Sequence, residues 1–117
     1  MSYMLLIVEP AGQRDTRSEE EGRALYQRML DFSAALDARG VLSLAQSLKS
    51  DREGVRVRVR GGKRSFVDGP FSEAKEMVGG FFLLRCDTKE EALAIAAECP
   101  AAEWASVEVR ELGPCFM

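Results

Sequence analysis

At 117 residues, 46% hydrophobic and 30% charged, the chain has the balance of one small globular domain spanning residues 1–117. Its net charge of −3 argues against general attraction to nucleic acid or to an anionic membrane surface. It contains no histidine, which excludes histidine acid–base catalysis, and its three cysteines, Cys86, Cys99 and Cys115, lack C-x-x-C spacing, so neither a metal knuckle nor a disulfide framework is expected.

Tyr3 to Val8 is a short, β-rich apolar run and predicts a strand buried on both faces. With no basic start it reads as a strand rather than a signal peptide, and no run approaches the ~20 apolar residues that span a bilayer, so a cytoplasmic location is expected. Glu9 to Arg17, with Pro10 and Gly12, predicts a loop. Ser18 with Glu21 is a capping box, and the helix it opens carries Leu25, Met29, Phe32 and Leu36 on one stripe before stopping at Gly40. Val41 to Leu48 predicts a second strand with Leu42, Leu44 and Leu48 on one face.

Lys49 to Gly54 is a polar turn, and "VRVRVRGGKRSFV" then predicts a hairpin turning at Gly61-Gly62, with Val57 opposite Phe66 and Arg58 opposite Ser65. Its Arg56, Arg58 and Arg60 face, with Lys63 beside it, reads as a solvated surface whose charges discourage edge pairing, with an anion platform as the alternative. No aromatic stacks on that face, so specific nucleic-acid binding is not expected.

"VDGPFSEAKEMVGGFF" follows. Pro70 suits the first position of a short helical turn, Phe71 to Glu76, with Phe71 as a core anchor. Val78 to Cys86 predicts a strand. Thr88 with Glu91 is a second capping box, and its helix places Ala92, Ile95, Ala96 and Cys99 on one side and stops before Pro100. Trp104 to Leu112 holds the last strand. This order matches an α+β, ferredoxin-like β-α-β-β-α-β arrangement with an added β-hairpin and an antiparallel sheet. Both helices would cover one sheet face, and a partner chain's sheet is the simplest cover for the other.

"YMLLIV", "GVL", "VDGPFSEAKEMVGGFFLL" and "SVEVREL" together resemble the YCII-related family, in its DGPF branch, across nearly the whole chain. The resemblance implies a ferredoxin-like domain that pairs into a dimeric α/β barrel. Relatives outside the branch resemble small-molecule enzymes, including lactone-processing dehalogenases with a proposed histidine–aspartate pair. Without histidine this chain cannot hold that pair, and Asp37 would at best retain its acidic half. Domains of the branch also occur beside extracytoplasmic-function sigma factors.

The candidate site is the DGPF stretch. Asp68 and Lys75 are its proposed proton-transfer pair, and Asp68, Gly69, Pro70, Phe71, Glu73, Lys75, Glu76, Gly79 and Gly80 its proposed ligand-binding set. Asp68 can instead fix the turn by accepting backbone N–H groups, and Gly79-Gly80 is either a place of close ligand approach or a strand bulge. The cysteines read as small buried hydrophobes, except that Cys115, near the end of the sequence, is expected to be exposed with oxidation as its chemistry. No glycine-rich phosphate loop appears, so no nucleotide cofactor is expected, nor any metal. The leading expectation is a homodimeric small-molecule-binding or regulatory module for a small polar or acidic ligand. The alternatives are a metal-free acid–base enzyme of lyase or isomerase type, and a protein-interaction module in transcription initiation.

Overall fold

The computed structural model describes residues 2 to 117. The order is β1 (Ser2–Pro10), α1 (Glu19–Ala38), β2 (Leu42–Ser47), β3 (Val55–Arg60), β4 (Lys63–Asp68), β5 (Glu76–Arg85), α2 (Lys89–Glu98) and β6 (Ser106–Glu111). Short 3₁₀ turns lie at Gln13–Thr16, Asp51–Glu53 and Pro100–Glu103. β2, β5, β1 and β6 form one antiparallel sheet in that spatial order, and β3–β4 is a separate hairpin. This is the ferredoxin-like order with the hairpin inserted before its third strand.

Directly opposed residues share a sheet face. The pairs Tyr3–Leu84, Leu5–Phe82, Leu5–Val109 and Ile7–Val107 therefore define the inner face. Phe32 and Leu36 of α1 and Ala92, Ile95 and Ala96 of α2 pack onto it, closing the core. Phe32 meets Phe82 edge to face, with centroids 5.4 Å apart.

The outer face carries Met4, Leu6, Phe81, Leu83 and Leu44, and no part of the described chain covers it. β1 is thus not buried on both faces: odd positions are buried and even ones only half-buried. The molecule is correspondingly thin, 46 × 41 × 18 Å. The expected single face of Leu42 and Leu44 is also corrected. A register shift between them sets Leu42 against Leu84 on the inner face and Leu44 against Leu83 on the outer one.

Ser18 and Glu21 form the full capping box of α1. Thr88 makes only half of one. Its hydroxyl accepts from Glu91 N–H, while the Glu91 carboxylate accepts instead from Asp87 N–H at 3.2 Å. The hairpin turns at Gly61 (φ 57°) and Gly62 (φ 78°), with the expected Val57–Phe66 and Arg58–Ser65 pairs. The helical turn expected from Phe71 to Glu76 does not form. A single turn closes by Ala74 N–H to Phe71 carbonyl (2.9 Å), after which Ala11 N–H takes the Lys75 carbonyl and Glu76 joins β5 opposite Pro10. Sheet pairing with β1 captures the backbone that a helix would need.

Candidate functional site

The odd-numbered phase of β1 runs Tyr3, Leu5, Ile7 and then Glu9, which sets a carboxylate on the inner, helix-facing side. Glu9 is 5% exposed. A carboxylate taken from water must be paired and hydrogen-bonded. Arg14, on the 3₁₀ turn that follows, supplies the pairing. Its Nη2 lies 2.6 Å and its Nε 3.1 Å from Glu9 Oε1, with Nε 3.3 Å from Oε2. Arg14 also donates to the carbonyls of Leu48 (2.8 Å) and Gly79 (3.4 Å), so one guanidinium ties together β1, the end of β2 and β5.

Gly79 makes room for this pair. Between Ile7 and Val8 the β1–β5 register slips, so that Ile7 faces Gly80, Val8 faces Val78, and Gly79 is the extra residue of a bulge. A Cβ on Gly79 would overlap Glu9 Oε1 and lie 2.8 Å from Arg14 Nη2. The bulge reading of Gly79-Gly80 therefore holds, and the group that approaches the Gly79 backbone is the protein's own carboxylate.

Above Glu9 a cleft of about 770 Å³ opens between α1 and the sheet. Its apolar wall includes Ile7, Leu25, Met29 and Phe82, and Trp104 lies at one end. Leu25 and Met29 of the predicted stripe are only half-buried while Phe32 and Leu36 are buried, because the first half of α1 lines this space. Gln13 Nε2 donates to the Trp104 carbonyl at 2.7 Å, fixing the Arg14-bearing turn to that end. A carboxylate has about four acceptor sites. Arg14 supplies three contacts, leaving Glu9 capacity to accept from a hydroxyl or ammonium in the cleft.

A model of the YCII-related domain matches residues 1–115. The chain belongs to the YCII-related family. A relative of this YCII-related chain, the uncharacterized protein R00369 of Rhizobium meliloti (strain 1021), is 28% identical over 114 residues, covering 96% of this chain and 92% of the relative. Among solved structures, 5-chloro-2-hydroxyhydroquinone dehydrochlorinase (TftG) of Burkholderia phenoliruptrix AC1100, in complex with 2,5-dihydroxybenzoquinone, superposes with a TM-score of 0.56. It is 13% identical, over 97% of this chain and 94% of its own, a likeness that establishes the shared fold.

In this YCII-related chain the residues singled out by sequence fall into separate places. Asp68 ends β4 opposite Val55, exposed, and its carboxylate makes no hydrogen bond among the described residues, so it accepts no turn N–H. Gly69 donates its N–H to the Gly54 carbonyl at 2.9 Å, and a Cβ there would overlap the Asp51 carbonyl oxygen. Pro70 follows through a cis peptide bond. Phe71 is half-buried outside the main core, its ring capped by the Arg56 guanidinium at 3.9 Å. Arg56 also pairs with Glu73 at 2.6 Å. A hydrogen bond from backbone N–H, followed by the Arg56 charge, holds the Glu73 carboxyl below the usual carboxylate range. Lys75 and Glu76 are exposed, and neither Asp68 nor Lys75 takes part in an ion pair among the described residues. Of the whole set, only Gly79 and Gly80 line the cleft.

The DGPF turn reaches the cleft indirectly. Gly69 seats on Asp51; the adjacent Arg52 pairs with Asp15 at 2.7 Å; Asp15 sits on the turn that presents Arg14. Pro70 and Phe71 help wall a second, smaller hollow of about 360 Å³ behind Arg14. Sequence reasoning missed Glu9, Arg14 and Trp104, and the legible signal was Glu9 in the buried phase of an alternating strand. Asp37 is exposed, and does not line the cleft. Cys86 and Cys99 are buried, and burial pushes both thiols up, which fits packing rather than nucleophilic use.

Proposed function

We propose that this YCII-related protein is a small-molecule-binding module whose ligand occupies the cleft between α1 and the sheet. The observation that carries the reading is the buried Glu9 carboxylate at the cleft floor, held by Arg14 and given room by Gly79. A fold that needed only a core would place an apolar side chain at this position. An apolar cavity with a few convergent polar groups is the usual form of a small-molecule site. The cleft thus takes the place of the DGPF turn as the ligand site, and the turn becomes a support for Arg14.

The enzymatic alternative uses the same site. Glu9, rather than Asp68 and Lys75, is the group positioned to exchange a proton with a cleft ligand. The homodimer belongs to the proposal too: the uncovered apolar outer sheet face supports a second copy packed sheet on sheet. Membership of the DGPF branch is likewise our reading, resting on Asp68 to Phe71 and the residues that follow.

The test is a thermal-shift screen of small polar and acidic metabolites. Hits should disappear on Gly22→Trp, which places a ring in the cleft, and persist on Asp68→Asn. Hits lost on Asp68→Asn and retained on Gly22→Trp would return the site to the DGPF turn.

A further inference from the structure

Five charged side chains line the cleft: Glu9, Arg14, Arg17, Glu19 and Arg23. Arg14 pairs with Glu9 at 2.6 Å, and Arg23 with Glu19 at 2.8 Å. One cation is left over. The Arg17 side chain makes no hydrogen bond or ion pair among the described residues, and its guanidinium lies 6.0 Å from the centroid of the Trp104 ring. Arg28 lies over the same ring at 5.5 Å, but its charge is matched by Glu103. Arg17 therefore sits half-buried at the cleft with its donors free and one face supported by an indole.

Gly22 adds an independent observation. A glycine inside a helix costs about 1 kcal/mol relative to alanine. A Cβ at Gly22 would meet nothing within 4 Å, and the residue lines the cleft one turn beyond Arg17. The helix is thus thinned where the wall next to Arg17 opens. The helix terminus itself is a poor rival anion site, since the Ser18–Glu21 box takes the Ser18 and Glu21 N–H groups and three glutamates fill its first turn.

We propose that the cleft takes a monoanionic ligand with an apolar body, its acid group held by Arg17. This rests on the cleft being the small-molecule site. Leu25, Met29 and Phe82 would receive the apolar body. Glu9 at the floor sets the limit of one acid group. Paired with Arg14, it offers acceptor oxygens only, which take a hydroxyl and not a second acid group. A guanidinium–anion contact partly shielded from water contributes about tenfold or more in affinity.

The experiment uses two fluorescent probes with the same aromatic body: 8-anilinonaphthalene-1-sulfonate, an anion, and uncharged N-phenyl-1-naphthylamine. Each is titrated into the full chain and into Arg17→Gln, Arg17→Lys and Gly22→Trp, with Ser33→Phe as a second plug from farther along α1. The parent is expected to bind the anionic probe at least about tenfold more tightly than the neutral one. Arg17→Gln should abolish that preference while leaving the neutral probe within about twofold, and Arg17→Lys should keep part of it. Either plug should remove both probes. If the plugs remove both probes and Arg17→Gln keeps the preference, the anchor is wrong and the cleft stands. If both probes bind the plugged proteins as they bind the parent, the cleft reading fails and takes the anchor with it.

Discussion

Glu9, Arg14 and Gly79 form one unit, and each can be removed separately. Gly79→Ala would drive a methyl group into the carboxylate and its guanidinium partner, so the pair must shift towards the cleft and give up its present geometry. Denaturant unfolding should show a loss of about 1–2 kcal/mol. Arg14→Met leaves Glu9 buried without its cation. The expected cost is about 2–3 kcal/mol, somewhat below the usual range for breaking a buried pair, because Arg14 is 33% exposed. Adding Glu9→Gln to Arg14→Met should recover part of that loss, since no unpaired charge then remains buried. If the double variant is no more stable than Arg14→Met, the pair is not an electrostatic unit. Asp68→Asn, by contrast, alters an exposed carboxylate with no partner among the described residues and should change stability by less than about 0.5 kcal/mol.

Helix ends can be tested one at a time because their bonds are local. Thr88→Ala removes the hydroxyl that accepts from Glu91 N–H and should destabilise the fold by about 1 kcal/mol. At α1 the bonds run both ways. Hydrogen bonds from Ser18, backbone N–H first, hold the Glu21 carboxyl below its ordinary value. A carboxyl depressed in the folded state stabilises it above the unfolded pKa, and that contribution is lost as pH falls through the folded one. Parent and Glu21→Gln should therefore differ in melting temperature at neutral pH and converge below the ordinary carboxylate range. An unchanged gap down to low pH would show that the box adds nothing through its charge. The hairpin is held to the body differently. Arg56 reaches from β3 to Phe71 and Glu73, so the arginine face expected to be merely solvated contains one residue with a structural contact.

The whole molecule has two layers where a buried sheet needs three. The outer faces of β1, β5 and β2 present Met4, Leu6, Phe81, Leu83 and Leu44, and the hairpin adds Val55, Val57, Val59 and Phe66, each more than half exposed. Apolar surface on this scale, if left in water, invites association. Light scattering after size exclusion should give twice the 12.9 kDa chain mass at micromolar concentration. Leu6→Lys, at the middle of the outer face, should return the protein to the monomer mass while its far-ultraviolet dichroism stays unchanged. A parent protein that already runs as a monomer would remove the sheet-on-sheet dimer from the proposal.

What the sequence determined by itself was whatever rests on neighbours in the chain. Alternation, capping residues and the paired glycines specified the strands, both helix starts and the hairpin register, because the interactions that select them span only a few residues. The order of strands and helices then matched the ferredoxin-like arrangement, and the family resemblance agreed with it. Tertiary structure decided the rest. The slip between Ile7 and Val8 depends on how β1 meets β5, and that slip makes Gly79 the extra residue beside Glu9. The shift that separates Leu42 from Leu44 depends on β5 in the same way. Lys75 left its expected helical turn because Ala11, distant in sequence, took its carbonyl. Arg17 became the unpaired cation only once Arg14 and Arg23 had found their carboxylates. Each of these outcomes is a competition between partners brought together by folding, and a linear pattern records the competitors without recording which of them meet.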